Sequence, residues 1–165
     1  MRLDTRKMTT LALLVAVAMI LSYVESLIPP LASVPGVKLG LANIATVFAL
    51  YSLGAFSAAT VSIIRVCLSA LLFGNGVSFI YSLSGAVLSL AVMIILSKLQ
   101  LFSPVGISVA GGLMHNVGQV TAAVAVMNNA AISYYLVPLA VSGTLAGVVI
   151  GLAAGITAKR LKKFI

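Results

Sequence analysis

Residues 55–73, Ala55-Phe56-Ser57-Ala58-Ala59-Thr60-Val61-Ser62-Ile63-Ile64-Arg65-Val66-Cys67-Leu68-Ser69-Ala70-Leu71-Leu72-Phe73, carry a single charge. A helix of that length rises ~28 Å, close to the ~30 Å hydrocarbon thickness of a bilayer. Runs of the same character lie on both sides of it, at about 8–28, 39–53, 78–97, 104–127 and 134–158. Polar residues and Gly/Pro punctuate them. The pattern predicts an all-α integral membrane protein of six transmembrane helices. The run 39–53 is short and only Gly54 and Ala55 separate it from the next, so these two are expected to form a compact, partly buried hairpin. Five crossings is the competing count.

Composition agrees with lipid as the solvent. Of the 165 residues, 62% are apolar and 7% charged, against roughly 45–50% and about 25% in a soluble domain. The mean hydropathy is +1.24. Too few polar side chains remain to cover a water-facing globule. The net charge of +8 arises from ten Lys and Arg against Asp4 and Glu25 alone. The bases sit mostly at the chain ends without interleaved aromatics, so nucleic-acid binding is not expected. Cytoplasmic loops collect Lys and Arg. With the amino terminus inside, Arg2, Arg6, Lys7, Lys98, Lys159, Arg160, Lys162 and Lys163 all fall on the cytoplasmic side, which favours an even number of crossings with both termini cytoplasmic. The loops are then 28–38, 74–77, 98–103 and 128–133. No long linker interrupts residues 1–165, so a single transmembrane domain in the cell membrane, multi-pass, is expected. The first run resembles a signal peptide in its basic start, but its length and the lack of a small-x-small site before Glu25 favour a retained span.

The absences bear on function. Magnesium-dependent prenyl or phosphoryl transfer needs paired carboxylates, which Asp4 and Glu25 do not make. A phosphate loop is missing. One His and one Cys, Cys67, give no metal cage, disulfide framework or nucleophilic triad. Neither an enzyme nor a resident cofactor is expected.

What remains is polar groups at membrane depth, where they are costly and need a reason. Helical rise places Arg65 ~16 Å from the inner face. It either pairs with Glu25 or carbonyls to fix packing, or faces an anionic ligand. His115 sits at similar depth with Asn116 beside it and Gln119 one turn on, sharing a helix face. It is either an interhelical hydrogen bonder or a ligand contact. Glu25, Lys38 and Asn43 belong to the outer end, where Pro29, Pro30, Pro35 and Gly36 make the segment up to Lys38 irregular. That segment is a cap over a cavity or an ordinary loop. The candidate solute site is thus Arg65 as anchor, His115, Asn116 and Gln119 as selectors, and Asn43, Lys38 and Glu25 towards the mouth. Tyr81, Tyr134 and Tyr135 read as interfacial belt residues.

Two stripes of small residues concern helix contacts. Gly143, Gly147, Gly151 and Gly155 give the last run a face for close packing within the chain. Ala12 and Ala16 form a shorter pair in the first run. With about six helices, cytoplasmic ends and this alanine pair, the chain resembles the substrate-binding S components of energy-coupling factor transporters. That resemblance implies Ala12 and Ala16 as the docking stripe for a transmembrane T component, which works with partner ATPases. More narrowly, Lys38-Leu39-Gly40-Leu41-Ala42-Asn43-Ile44, Arg65, Ser84-Gly85 and Gly112-Leu113-Met114-His115-Asn116-Val117-Gly118-Gln119 look like the Gx transporter family, also called heptaprenyl diphosphate synthase component I. The resemblance implies uptake of a small solute, whose identity it leaves open, and a buried Arg65 calls for that solute to be anionic or polar. A membrane role in quinone- or flavin-linked electron export, or non-catalytic isoprenoid binding, is the alternative it leaves open.

Overall fold

A computed structural model describes residues 5–27 and 40–161. They form α1 (Thr5–Leu27), α2 (Asn43–Leu53), α3 (Ala55–Phe73), α4 (Gly76–Leu99), α5 (Pro104–Met127), a 3₁₀ segment (Ala130–Tyr135) and α6 (Leu136–Leu161). Among the described residues there is no strand, and each apolar run has become a helix. Five of the six, all but α2, are long and apolar enough to cross a membrane. The all-α reading holds at that level.

The ends of the helices follow from local chemistry. Asn75 opens α4 with a reciprocal cap: its Oδ1 accepts from Ser78 N–H at 2.8 Å and its own N–H donates to Ser78 Oγ at 2.9 Å. Ser103 caps α5, with Pro104 in the first turn where a missing N–H is harmless. Gly54 alone joins α2 to α3, at φ +90°, a conformation in which a Cβ would be strained.

With 11 residues, α2 rises only ~16 Å, about half a bilayer. From Ile44 to Leu50 it is apolar but for Thr46, so little of it can be left to water. Positions 45–50 are all buried, and α2 packs against α1, α3, α5 and α6. The hairpin expected from its shortness is present, and α2 is its interior arm. The core gathers around Val47, Val61, Ile107 and Ile150.

Close approaches fix the relative direction of the helices. Met19 meets Ser69 and Tyr23 meets Phe73, so α1 and α3 run parallel. Between α5 and α6 the glycine face does what its spacing predicts. A Cβ on Gly147 would lie 2.6 Å from Val109 Cα, and one on Gly151 2.6 Å from Val105 Cα, so α6 descends along α5 with backbones in contact. Across α4 and α5, a Cβ on Gly118 would come 2.7 Å from Ser84 O. One end of the bundle therefore holds the start of α1, Gly54, the link 100–103 and the end of α6. Arg6, Lys7, Lys98, Lys159 and Arg160 cluster there, while the described residues of the opposite end carry no Lys or Arg.

Candidate functional site

Three neighbouring spaces lie away from the basic end. The innermost, about 60 Å³, is lined by Glu25 of α1, Asn43 of α2, Arg65 of α3, and His115 and Asn116 of α5. Five residues separated by up to 91 positions in sequence thus meet at one interior point. They are five of the seven expected solute contacts. Beside this space is a lobe of about 280 Å³ that shares Glu25 and Arg65 as walls and is otherwise rich in hydroxyls, among them Ser22, Ser26, Ser69 and Ser78. A third lobe of about 490 Å³ lies between α4, α5 and the 3₁₀ segment.

The turn before α2 is what brings Glu25 inward. Gly40 takes φ +72° and its carbonyl receives Asn43 N–H at 2.8 Å, starting the helix. Its own N–H donates to Glu25 Oε1. A side chain at Gly40 would meet Asn43 Nδ2 and Ile150 Cδ1, so the glycine is required by both conformation and space.

Arg65 is half-buried, yet its Nε is buried without a hydrogen-bond partner. Glu25 acts on the guanidinium electrostatically, but one of its oxygens is already engaged by Gly40. A guanidinium offers five donors in a fixed fork, and at least one of them is left unmet on a residue that lines both spaces. Asn116 has a different position from a free selector. Its Nδ2 donates to Leu139 O, tying α5 to the first turns of α6. His115 lies over Gly85, whose Cβ would stand 3.0 Å from His115 Cε1.

Gln119 is separated from the others. It lines the third lobe and not the Arg65 space, because its stem crosses Gly85, where an added Cβ would sit 2.9 Å from Gln119 Cγ. The tight α4–α5 contact forms a wall between His115 and Gln119, although both share one helix face. Lys38 and the capping segment 29–38 lie outside the described residues.

Two features escaped the sequence reading. The serine wall is visible only as Ser22/Ser26 and Ser78/Ser82, pairs at helical spacing that look like ordinary polar punctuation. Tyr81 was expected at the membrane interface with Tyr134 and Tyr135. Those two are exposed, but Tyr81 lines the third lobe with its hydroxyl buried and without a hydrogen-bond partner.

Long apolar helices enclosing a charged, hydroxyl-lined interior define a multi-pass membrane protein with a polar internal cavity. The family model for heptaprenyl diphosphate synthase component I matches residues 14–157, and the chain belongs to that family. Comparison with curated proteins and with solved structures finds no match. The strings on which the resemblance rests come together in space: Ser84-Gly85 packs against Gly118, and Gly40, Asn43, Arg65, His115 and Asn116 surround the smallest of the three spaces.

Proposed function

We propose that this protein is the solute-binding membrane component of an energy-coupling factor type transporter. It crosses the cell membrane six times with both termini cytoplasmic, takes a small anionic or polar solute from outside, and performs no chemistry on it. The observation that carries this reading is Arg65. An intramembrane cation costs roughly 2.5–3.5 kcal/mol on insertion scales, its Nε has no partner, and it borders interior space on the half of the bundle away from the cytoplasm-type basic cluster. A ligand anion meets that need.

The exposed face of α1 supports the partner assignment. Ala12 and Ala16 both face outward from the bundle, where small side chains leave another helix room to approach. Magnesium-dependent synthesis finds no support, since Asp4 and Glu25 are the chain's only acids. The test is purification from membranes under mild detergent. A T component and two ATPases are expected to accompany the chain, with a small molecule retained in native mass spectrometry. A flavoprotein or quinone-linked partner in place of the ATPases would replace this reading with electron export.

A further inference from the structure

The hydroxyl-lined lobe and the lobe between α4 and α5 share two wall residues, Ser78 and Ser82, one helical turn apart on α4. They meet along that ridge. Their chemistry differs. The first contains Arg65, Glu25 and a set of serines, while the second is walled largely by Val120, Ala123, Met127, Ile132 and Tyr135. Four buried side-chain polar atoms lack a hydrogen-bond partner among the described residues, and three belong to residues of these walls: Arg65 Nε and Ser22 Oγ in the polar lobe, Tyr81 Oη in the apolar one. Buried polar atoms are normally satisfied, and these three orphans belong to residues that wall two neighbouring spaces. Arg65 and Ser22 present donors suited to an anion. Tyr81 offers a polar contact beside a mainly hydrocarbon surface.

We propose that the ligand is an amphiphilic anion, with one anionic group held at Arg65 and Ser22 and an apolar body lying across the Ser78–Ser82 ridge against Ala123 and Tyr81. This rests on the solute-binding reading and narrows its substrate class. A bare inorganic or short-chain anion would leave the larger lobe, about 490 Å³, without an occupant, although that volume lies within the ~300–1,000 Å³ of ordinary ligand pockets. A neutral apolar molecule would leave the guanidinium unmatched. The same chemistry is offered by a soluble amphiphile and by an anionic membrane lipid.

The full chain in phosphatidylcholine nanodiscs is titrated with 2-naphthyl phosphate, and in parallel with inorganic phosphate and with 2-naphthol. The chain has no Trp, which leaves naphthyl emission readable. The intact chain should bind 2-naphthyl phosphate at least tenfold tighter than either fragment. Arg65→Gln and Ala123→Phe should each weaken it tenfold or more, with Arg65→Lys intermediate. Competition by phosphatidic acid then identifies a membrane lipid as the source, and its absence a solute. Phosphate binding as tightly as the probe, with Ala123→Phe without effect, overturns the amphiphile while leaving the anion-binding transporter reading intact. Equal binding of 2-naphthol, with Arg65→Gln without effect, overturns both. Failure of the intact chain to bind 2-naphthyl phosphate overturns the inference alone, because partner co-purification judges transport separately. Comparison of the three probes on the unmodified chain decides the matter even where a variant fails to fold.

Discussion

Arg65 and Asn116 illustrate how one kind of signal, a polar residue at membrane depth, divides into two roles. Asn116 spends its amide on Leu139 O, and interhelical hydrogen bonds in membranes contribute about 0.6 kcal/mol on average, up to ~1.7. Asn116→Leu should therefore lower unfolding stability in detergent by about that much, read as a modest fall in Tm, with ligand retention largely kept. Arg65 lacks such a partner at Nε. Arg65→Ala should weaken ligand binding by about tenfold or more, ~1.4 kcal/mol, with little change in Tm. A large drop in Tm with binding intact would make Arg65 a packing residue. At this scale the sequence revealed which residues are expensive, because desolvation depends on residue type and depth. It did not reveal partners: Gln119 shares a helix face with His115, but Gly85 admits α4 so closely that the two line different spaces.

Helices α1 and α6 carry the two small-residue stripes, and their surroundings are opposite. On α6, Gly143, Gly147 and Gly151 are buried against the α5 backbone. On α1, Ala12 and Ala16 are exposed. Gly147→Leu would drive a side chain into Val109 Cα, where overpacking costs about 1–3 kcal/mol or more. That variant should lose thermal stability or fail to accumulate, measured by detergent-extracted yield and Tm. The double variant Ala12→Leu/Ala16→Leu should fold normally and retain ligand, yet lose the T component on co-purification. Survival of the complex would remove the docking role. Period-four spacing was legible in both helices. Which stripe faces protein and which faces outward was not, because lipid tails and protein interiors are equally apolar and hydropathy does not separate them.

Taken whole, the bundle has one end rich in bases and one end without them among the described residues. Ser103 and Asn129 flank α5, whose 24 residues rise ~36 Å, more than a hydrocarbon core. Both are exposed. In a Cys67→Ser background, single cysteines at these two positions should be labelled by a membrane-impermeant maleimide from opposite sides, Asn129→Cys from outside and Ser103→Cys only after permeabilisation. Labelling of both from one side would discard the topology.

The sequence by itself determined that the chain lives in lipid, that it is helical, and where the helices run. The all-helical outcome follows from a bilayer that leaves backbone groups no water to bond, so long apolar runs without strand alternation have one available conformation. Composition and spacing are local properties, and α3 and α5 follow the runs 55–73 and 104–127 read from them. The cavity was decided by tertiary structure. Glu25 faces Arg65 because Gly40 turns the chain and bonds its carboxylate. The serine wall assembles from α1, α3 and α4, and Tyr81 turns inward to a lobe that exists only between α4, α5 and the 3₁₀ segment. Each of these depends on how closely two backbones approach, and that distance is set by pairs of residues far apart in sequence, glycine against glycine or carbonyl, which no single run can specify.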